Sequence, residues 1–176
     1  MKKNNILLFL LVLILPGCGG YERILKSSDS NLKYQKAFEY YNKGDYTKAG
    51  TLFDQIAPFF RGTTRADSVY YFQATTYFKQ NDFILAGHAF KNFSDTYGNS
   101  PFAETATFYV GYCYYLTSPR PELDQTDTYQ AIQSLRLFLI RYPNSTRKEE
   151  CEKMIAEMRN KLVEKSFISA RLYYDL

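Results

Sequence analysis

Three kinds of hydrophobic pattern follow one another along the chain. Residues 6–15, ILLFLLVLIL, form an unbroken apolar run. From about residue 31 to 145, apolar and polar positions mix at helical spacing, with small residues and aromatic rings recurring in a fixed order. Residues 146–165 are highly charged but keep one narrow apolar stripe. Its members, Cys151, Met154, Ile155, Met158 and Leu162, share one face of a helix. The first run is too short to cross a bilayer as a helix and has the length of a signal-peptide core.

The middle section is a repeat. KAFEYYNKGDYTKAGTLFDQIAPFF (36–60) and QATTYFKQNDFILAGHAFKNFSDTY (73–97) align without a gap at an offset of 37. The aligned pairs are Ala37 and Ala74, Tyr40 and Tyr77, Ala49 and Ala86, Phe53 and Phe90, Phe60 and Tyr97. A further step of 37 reaches Gly111 and Tyr114 in YVGYCYYL. The second helix of this third copy is TYQAIQSLRLFLIRY, where Ala131, Leu135 and Tyr142 keep the internal spacing after about eight inserted residues. A small residue, a ring three later, a turn, a second small residue and a ring four later make the tetratricopeptide pattern. The small residues let paired helices approach closely. Gly44-Asp45 and Asn81-Asp82 mark the turns, because Gly and Asn tolerate left-handed backbone. Asn-Ser pairs at 99–100 and 144–145 are placed to cap the next helix, with Pro101 in a first turn.

The predicted fold is therefore all-α, a tetratricopeptide-repeat solenoid of antiparallel helix pairs. The expected division is a signal peptide at 1–17, a modified cysteine and linker at 18–30, and an array at 31–176. Repeats span about 31–62, 63–100 and 101–145, with a partial repeat at 146–176. In the last of these, Ala170 and Tyr173 restore the small-to-aromatic pair of a fourth first helix. The register places a turn glycine at the position after Leu176, so a truncated array is expected, lacking the polar final helix that caps such folds.

The first helices of such an array line its concave face. Positions between the pattern residues then face a groove. They comprise Tyr34, Tyr71 and Phe108 in one set, and Tyr41, Phe78 and Tyr115 in another. Phe38 and Tyr112 share a third set with Thr75. Eight of these nine positions are aromatic, and a contiguous exposed apolar row is a binding surface more often than an accident. Tyrosine suits that role through its large area, few rotatable bonds and one hydroxyl. An extended, aromatic-rich peptide is the expected ligand. The competing reading is that each ring packs on a neighbouring first helix.

Composition narrows the function. The 176 residues include 17 Tyr, 14 Phe and no Trp, with a net charge of +4. No block of five or six like charges occurs, so nothing supports nucleic-acid binding. The single histidine, His88, lies alone on a predicted helix. There is no His-Glu metal pair, no glycine-rich phosphate loop and no Gly-x-Ser-x-Gly elbow. No enzyme, metal or cofactor is expected. Cys113 and Cys151 have no metal-ligand spacing and read as buried thiols, with their pairing left open.

The apolar run sits in a specific context. MKKNN precedes it, and LPGC (15–18) begins on its last residue. Leu15, Gly17 and Cys18 resemble the lipobox of bacterial lipoproteins. That resemblance implies cleavage before Cys18 and its modification by diacylglycerol and an N-acyl chain, leaving residues 18–176. Loss of Lys2 and Lys3 lowers the charge from +4 to +2. Two or more acyl chains anchor stably, where one does not. Gly19 in place of an aspartate resembles the sorting rule for the outer membrane. No acidic run follows Cys18, so a periplasm-facing domain is expected.

Lipobox, YERILKS, KGDYTKAGTLFDQIAPFFRGT, SPRPELDQTDTY, RYPNS and a long charged helix together resemble the BamD (YfiO) family of outer-membrane protein assembly lipoproteins. The resemblance covers the chain after Cys18 and matches the N-terminal three and a half of the family's roughly five repeats. It implies a non-enzymatic scaffold on the periplasmic side of the outer membrane. Its implied partners are the barrel protein BamA, other assembly-machinery subunits and unfolded barrel proteins, whose C-terminal strand would meet the N-terminal repeats. The family's contact with BamA lies mostly in later repeats. Two alternatives share the fold. One is a glycan-binding lipoprotein of the starch-uptake type, against which stand the lack of Trp and the short chain. The other is a cell-envelope scaffold for another peptide.

Overall fold

The computed structural model describes residues 19–174, and Cys18 and the expected signal peptide lie outside them. The chain divides into two compact units, with the boundary along the chain between Phe59 and Phe60. All regular structure among the described residues is helical.

The first unit holds α1 (Gly19–Lys26), α2 (Ser30–Asn42) and all but the last residue of α3 (Tyr46–Phe60). Asp29 starts α2 by accepting from the Asn31 and Leu32 amides at 2.9 and 3.0 Å. Gly44 takes φ 79° in the turn between α2 and α3, a conformation in which a Cβ would be strained. Ala37 of α2 is fully buried, as are Ala49, Leu52, Phe53 and Ile56 of α3. The stretch expected to be a linker instead contains α1, which is docked. The Tyr21 ring meets Tyr40 edge-on at 5.5 Å, and its hydroxyl donates to the Lys48 carbonyl. Lys33 Nζ donates to the Leu25 carbonyl at 2.9 Å and to Gln55 Oε1 at 2.7 Å.

The second unit contains α4 (Ala66–Lys79), α5 (Phe83–Thr96), α6 (Ala103–Thr117), α7 (Thr126–Arg141) and α8 (Lys148–Tyr174). Each packs on the next. Asn81 has φ 61°, and Asp82 caps α5 by accepting from the Leu85 amide at 3.0 Å. One core cluster joins α4, α5 and α6 around Ala74, Ala86, Phe90, Phe93, Ala106 and Val110. A second joins α6, α7 and α8 around Phe108, Leu135, Phe138, Cys151, Met154 and Met158. The small residues of the repeat, Ala74, Ala86, Gly111 and Ala131, are buried. Helix pairs with this register make the fold a tetratricopeptide-type all-α array.

The serines at the repeat junctions work differently from simple caps. Ser100 Oγ accepts from the Phe102 amide at 3.3 Å and donates to Asp67 at 2.9 Å. Ser145 Oγ accepts from the Arg147 amide at 3.2 Å and donates to Glu104 at 2.6 Å. Each serine thus ties its turn to the first turn of the preceding first helix. Pro101 lies in the turn itself, before α6 begins.

The inserted segment between α6 and α7 is fastened to α8. Buried Gln125 donates to the Arg120 and Leu123 carbonyls at 2.9 and 3.0 Å and accepts from Thr128 at 2.7 Å. Lys161 donates to Ser118 Oγ at 2.7 Å, and Lys165 to the Glu122 carbonyl at 2.8 Å.

Candidate peptide-binding face

In the second unit, α4 supplies Tyr71 and Phe78, and α6 supplies Phe108, Tyr112 and Tyr115. Four of the five are half-buried, while Phe108 is 1% exposed. Phe108 is therefore corrected from a groove residue to a core residue. It meets Phe138 at 5.7 Å, and the Arg147 guanidinium lies 4.3 Å from its ring centroid. The entry of α8 closes over this position, which the repeat register alone does not reveal.

Tyr71 sits in an equivalent place with a different cover. It stacks on Phe102 at 4.4 Å and 12°, and touches Phe93 and Phe90 at 5.7 and 6.1 Å. Burial raises its phenol pKa. It is tied into the packing more firmly than a free groove residue would be.

Phe78, Tyr112 and Tyr115 form a row. The Phe78 and Tyr112 centroids are 5.9 Å apart, and those of Tyr112 and Tyr115 are 6.1 Å apart with planes 14° from parallel. Tyr112 also stacks on Phe108 at 5.5 Å. Two participants escape the sequence reading. Tyr109 bridges Phe78 and Phe90 at 4.7 and 5.0 Å; the offset of 37 pairs it with Phe72, a signal that two aromatics in register could have given. Glu157 of α8 accepts from the Tyr115 hydroxyl at 2.6 Å. That hydrogen bond, with burial and the carboxylate charge, pushes the Tyr115 pKa up to about 12. Nothing in the sequence sets Glu157 apart from its charged neighbours.

The first unit holds Tyr34, Phe38 and Tyr41, all half-buried. Tyr34 and Phe38 lie 4.8 Å apart, Phe38 meets buried Phe53 edge-on at 5.1 Å, and Tyr41 meets Tyr46 at 5.4 Å. The three are anchored from below by their own helix pair.

Cys113 and Cys151 are free and buried. Burial pushes their thiols up to about 12 and about 11. Among the described residues, no three His, Cys, Asp or Glu side chains gather as a metal set. No helix among them is long and apolar enough to cross a membrane.

A search of curated proteins returns no match. The family model described as YfiO, outer membrane lipoprotein, matches residues 26–175. That span takes in the helices α2 to α8, with the row of Phe78, Tyr112 and Tyr115, and the chain belongs to the YfiO family of outer membrane lipoproteins.

Proposed function

We propose that this chain is a lipid-anchored, non-catalytic scaffold of the outer-membrane barrel assembly machinery. It is held by the lipid on Cys18, faces the periplasm and receives unfolded barrel proteins on its aromatic face. BamA and other subunits of that machinery are its proposed partners. Family membership is the observation that carries the reading. The rings supply compatible chemistry. Same-face side chains of an extended strand recur about every 6.8 Å, close to the 5.9 and 6.1 Å steps from Phe78 to Tyr112 to Tyr115. A barrel strand, which alternates apolar and polar residues, can lay its apolar side on that row.

The test uses residues 18–176, immobilised, with Cys18 replaced by serine. A urea-unfolded barrel protein diluted onto it should be retained. A peptide copying the barrel's last strand should displace it, and a scrambled peptide of the same composition should not. No retention, or equal displacement by both peptides, contradicts the proposal.

A further inference from the structure

We infer that the exposed face of α1 rests on the phosphate-bearing headgroup layer of the membrane, so that the first helical unit is seated on the lipid surface. The inference rests on the proposal that Cys18 carries the lipid anchor, and adds to it the orientation of what is anchored.

Covalent geometry is the first part. No residue separates Cys18 from Gly19, where α1 begins, and consecutive Cα atoms are only about 3.8 Å apart. The acyl chains lie in the hydrocarbon, and the headgroup region on each side is about 5–8 Å thick. A helix of eight residues is about 12 Å long. Starting one residue after the anchor, α1 has its first turn in or beside that layer, and at this length it stays there throughout only by lying along the surface.

Docking couples α1 to the rest of its unit. Tyr21 is held between the Tyr40 ring and the Lys48 carbonyl, and the Leu25 carbonyl accepts from Lys33. These contacts bind α1 at both ends to α2 and α3. Whatever fixes α1 at the lipid surface therefore fixes the first unit there too.

The face left open has suitable chemistry. Gly19, Gly20, Glu22, Arg23 and Lys26 are exposed. Elsewhere in the unit Lys36 and Lys43 pair with Glu39, and Lys48 pairs with Asp45. Arg23 and Lys26 instead turn outward, one turn apart, with Glu22 as the carboxylate on the same face. Two cations near an anionic surface each add attraction of the order expected for juxtamembrane basic residues. The two glycines let the backbone come close to headgroups without side chains intervening.

The experiment uses the full lipidated protein. Glu22→Cys is labelled with a fluorophore, which Cys113 and Cys151 escape because they are buried. The protein is reconstituted into phosphatidylethanolamine–phosphatidylglycerol vesicles containing a headgroup-nitroxide lipid. A second form carries twelve Gly-Ser residues inserted between Cys18 and Gly19, a flexible spacer of roughly 20 Å root-mean-square span. Both forms should float with the vesicles. The probe should be strongly quenched without the spacer and several-fold less with it. Equal quenching in the two floated forms overturns the inference and leaves the anchor intact. Failure of both to float, with no acyl mass on Cys18, removes the anchor proposal and this inference with it.

Discussion

Gly111 of α6 lies against Leu135 of α7 so closely that a Cβ on the glycine would sit 2.7 Å from Leu135 Cδ2, 2.8 Å from Cγ and 3.1 Å from the Leu135 backbone nitrogen. Leu135 is itself fully buried, so its side chain has little room to withdraw. This is the physical content of the small residue in the third repeat. Elsewhere in a helix, replacing Gly by Ala gains about 1 kcal/mol. Here overpacking costs about 1–3 kcal/mol. Gly111→Ala should lower the unfolding free energy by about 1 kcal/mol, read from urea midpoints at constant slope. A stabilised variant would mean that α6 and α7 are not in this contact.

The bond between Tyr115 and Glu157 joins successive first helices and makes a pH-dependent prediction. The Tyr115 phenol is raised from 10.0 to about 12 in the fold, so folding favours its protonated form. Its contribution is complete below about pH 10 and is lost as pH rises from about 10 to about 12. Tyr115→Phe keeps the ring and removes the hydroxyl, at a cost of about 1 kcal/mol in a half-exposed setting. The gap in denaturation midpoint between the two proteins should be constant from pH 8 to 9 and shrink above pH 10. A gap that widens with alkali would contradict the assignment of the proton.

The buried cysteines should be silent in the native state. With thiols pushed to about 12 and about 11 and both side chains buried, little thiolate exists to react near neutrality. A form with Cys18 replaced by serine should take up no thiol reagent at pH 8 over minutes, and two equivalents in denaturant. Rapid native labelling of Cys151 would show that α8 opens from α6 and α7, and that of Cys113 would show that α5 opens from α6.

The helix pairs were legible because their signals are local and repeated. Gly44 and Asn81 announce turns that do adopt positive φ, and the small residues at 74, 86 and 131 are fully buried. The ring row was only partly legible. A 37-residue register reports which residues are equivalent, not what covers them. Phe108 and Tyr71 are equivalent, yet one lies under Arg147 and the other against Phe102, and those covers come from turns that differ between repeats. Helix α1 is not legible as a helix, because eight residues carry too little periodicity to stand out. Its helix is held by contacts with Tyr40, Lys48 and Lys33 that are distant in the chain.

The ring row itself carries the last prediction. Phe78 and Tyr115 are its outer members, each half-buried; Tyr71 is less suitable for a binding test because it packs on Phe90, Phe93 and Phe102. Aromatic anchors of a binding surface are commonly worth about 2 kcal/mol on truncation, which is about thirtyfold in affinity. Phe78→Ala combined with Tyr115→Ala should weaken binding of a labelled last-strand peptide by at least that factor while the helical circular dichroism is retained. Phe90 is fully buried, and Phe90→Ala should cost about 3–5 kcal/mol of stability, reducing the helical signal at modest temperature. Fluorescence titration of each variant, with circular dichroism on the same samples, separates lost contact from lost fold. Unchanged affinity in a folded double variant would assign the row to helix packing alone and place the peptide elsewhere on the molecule.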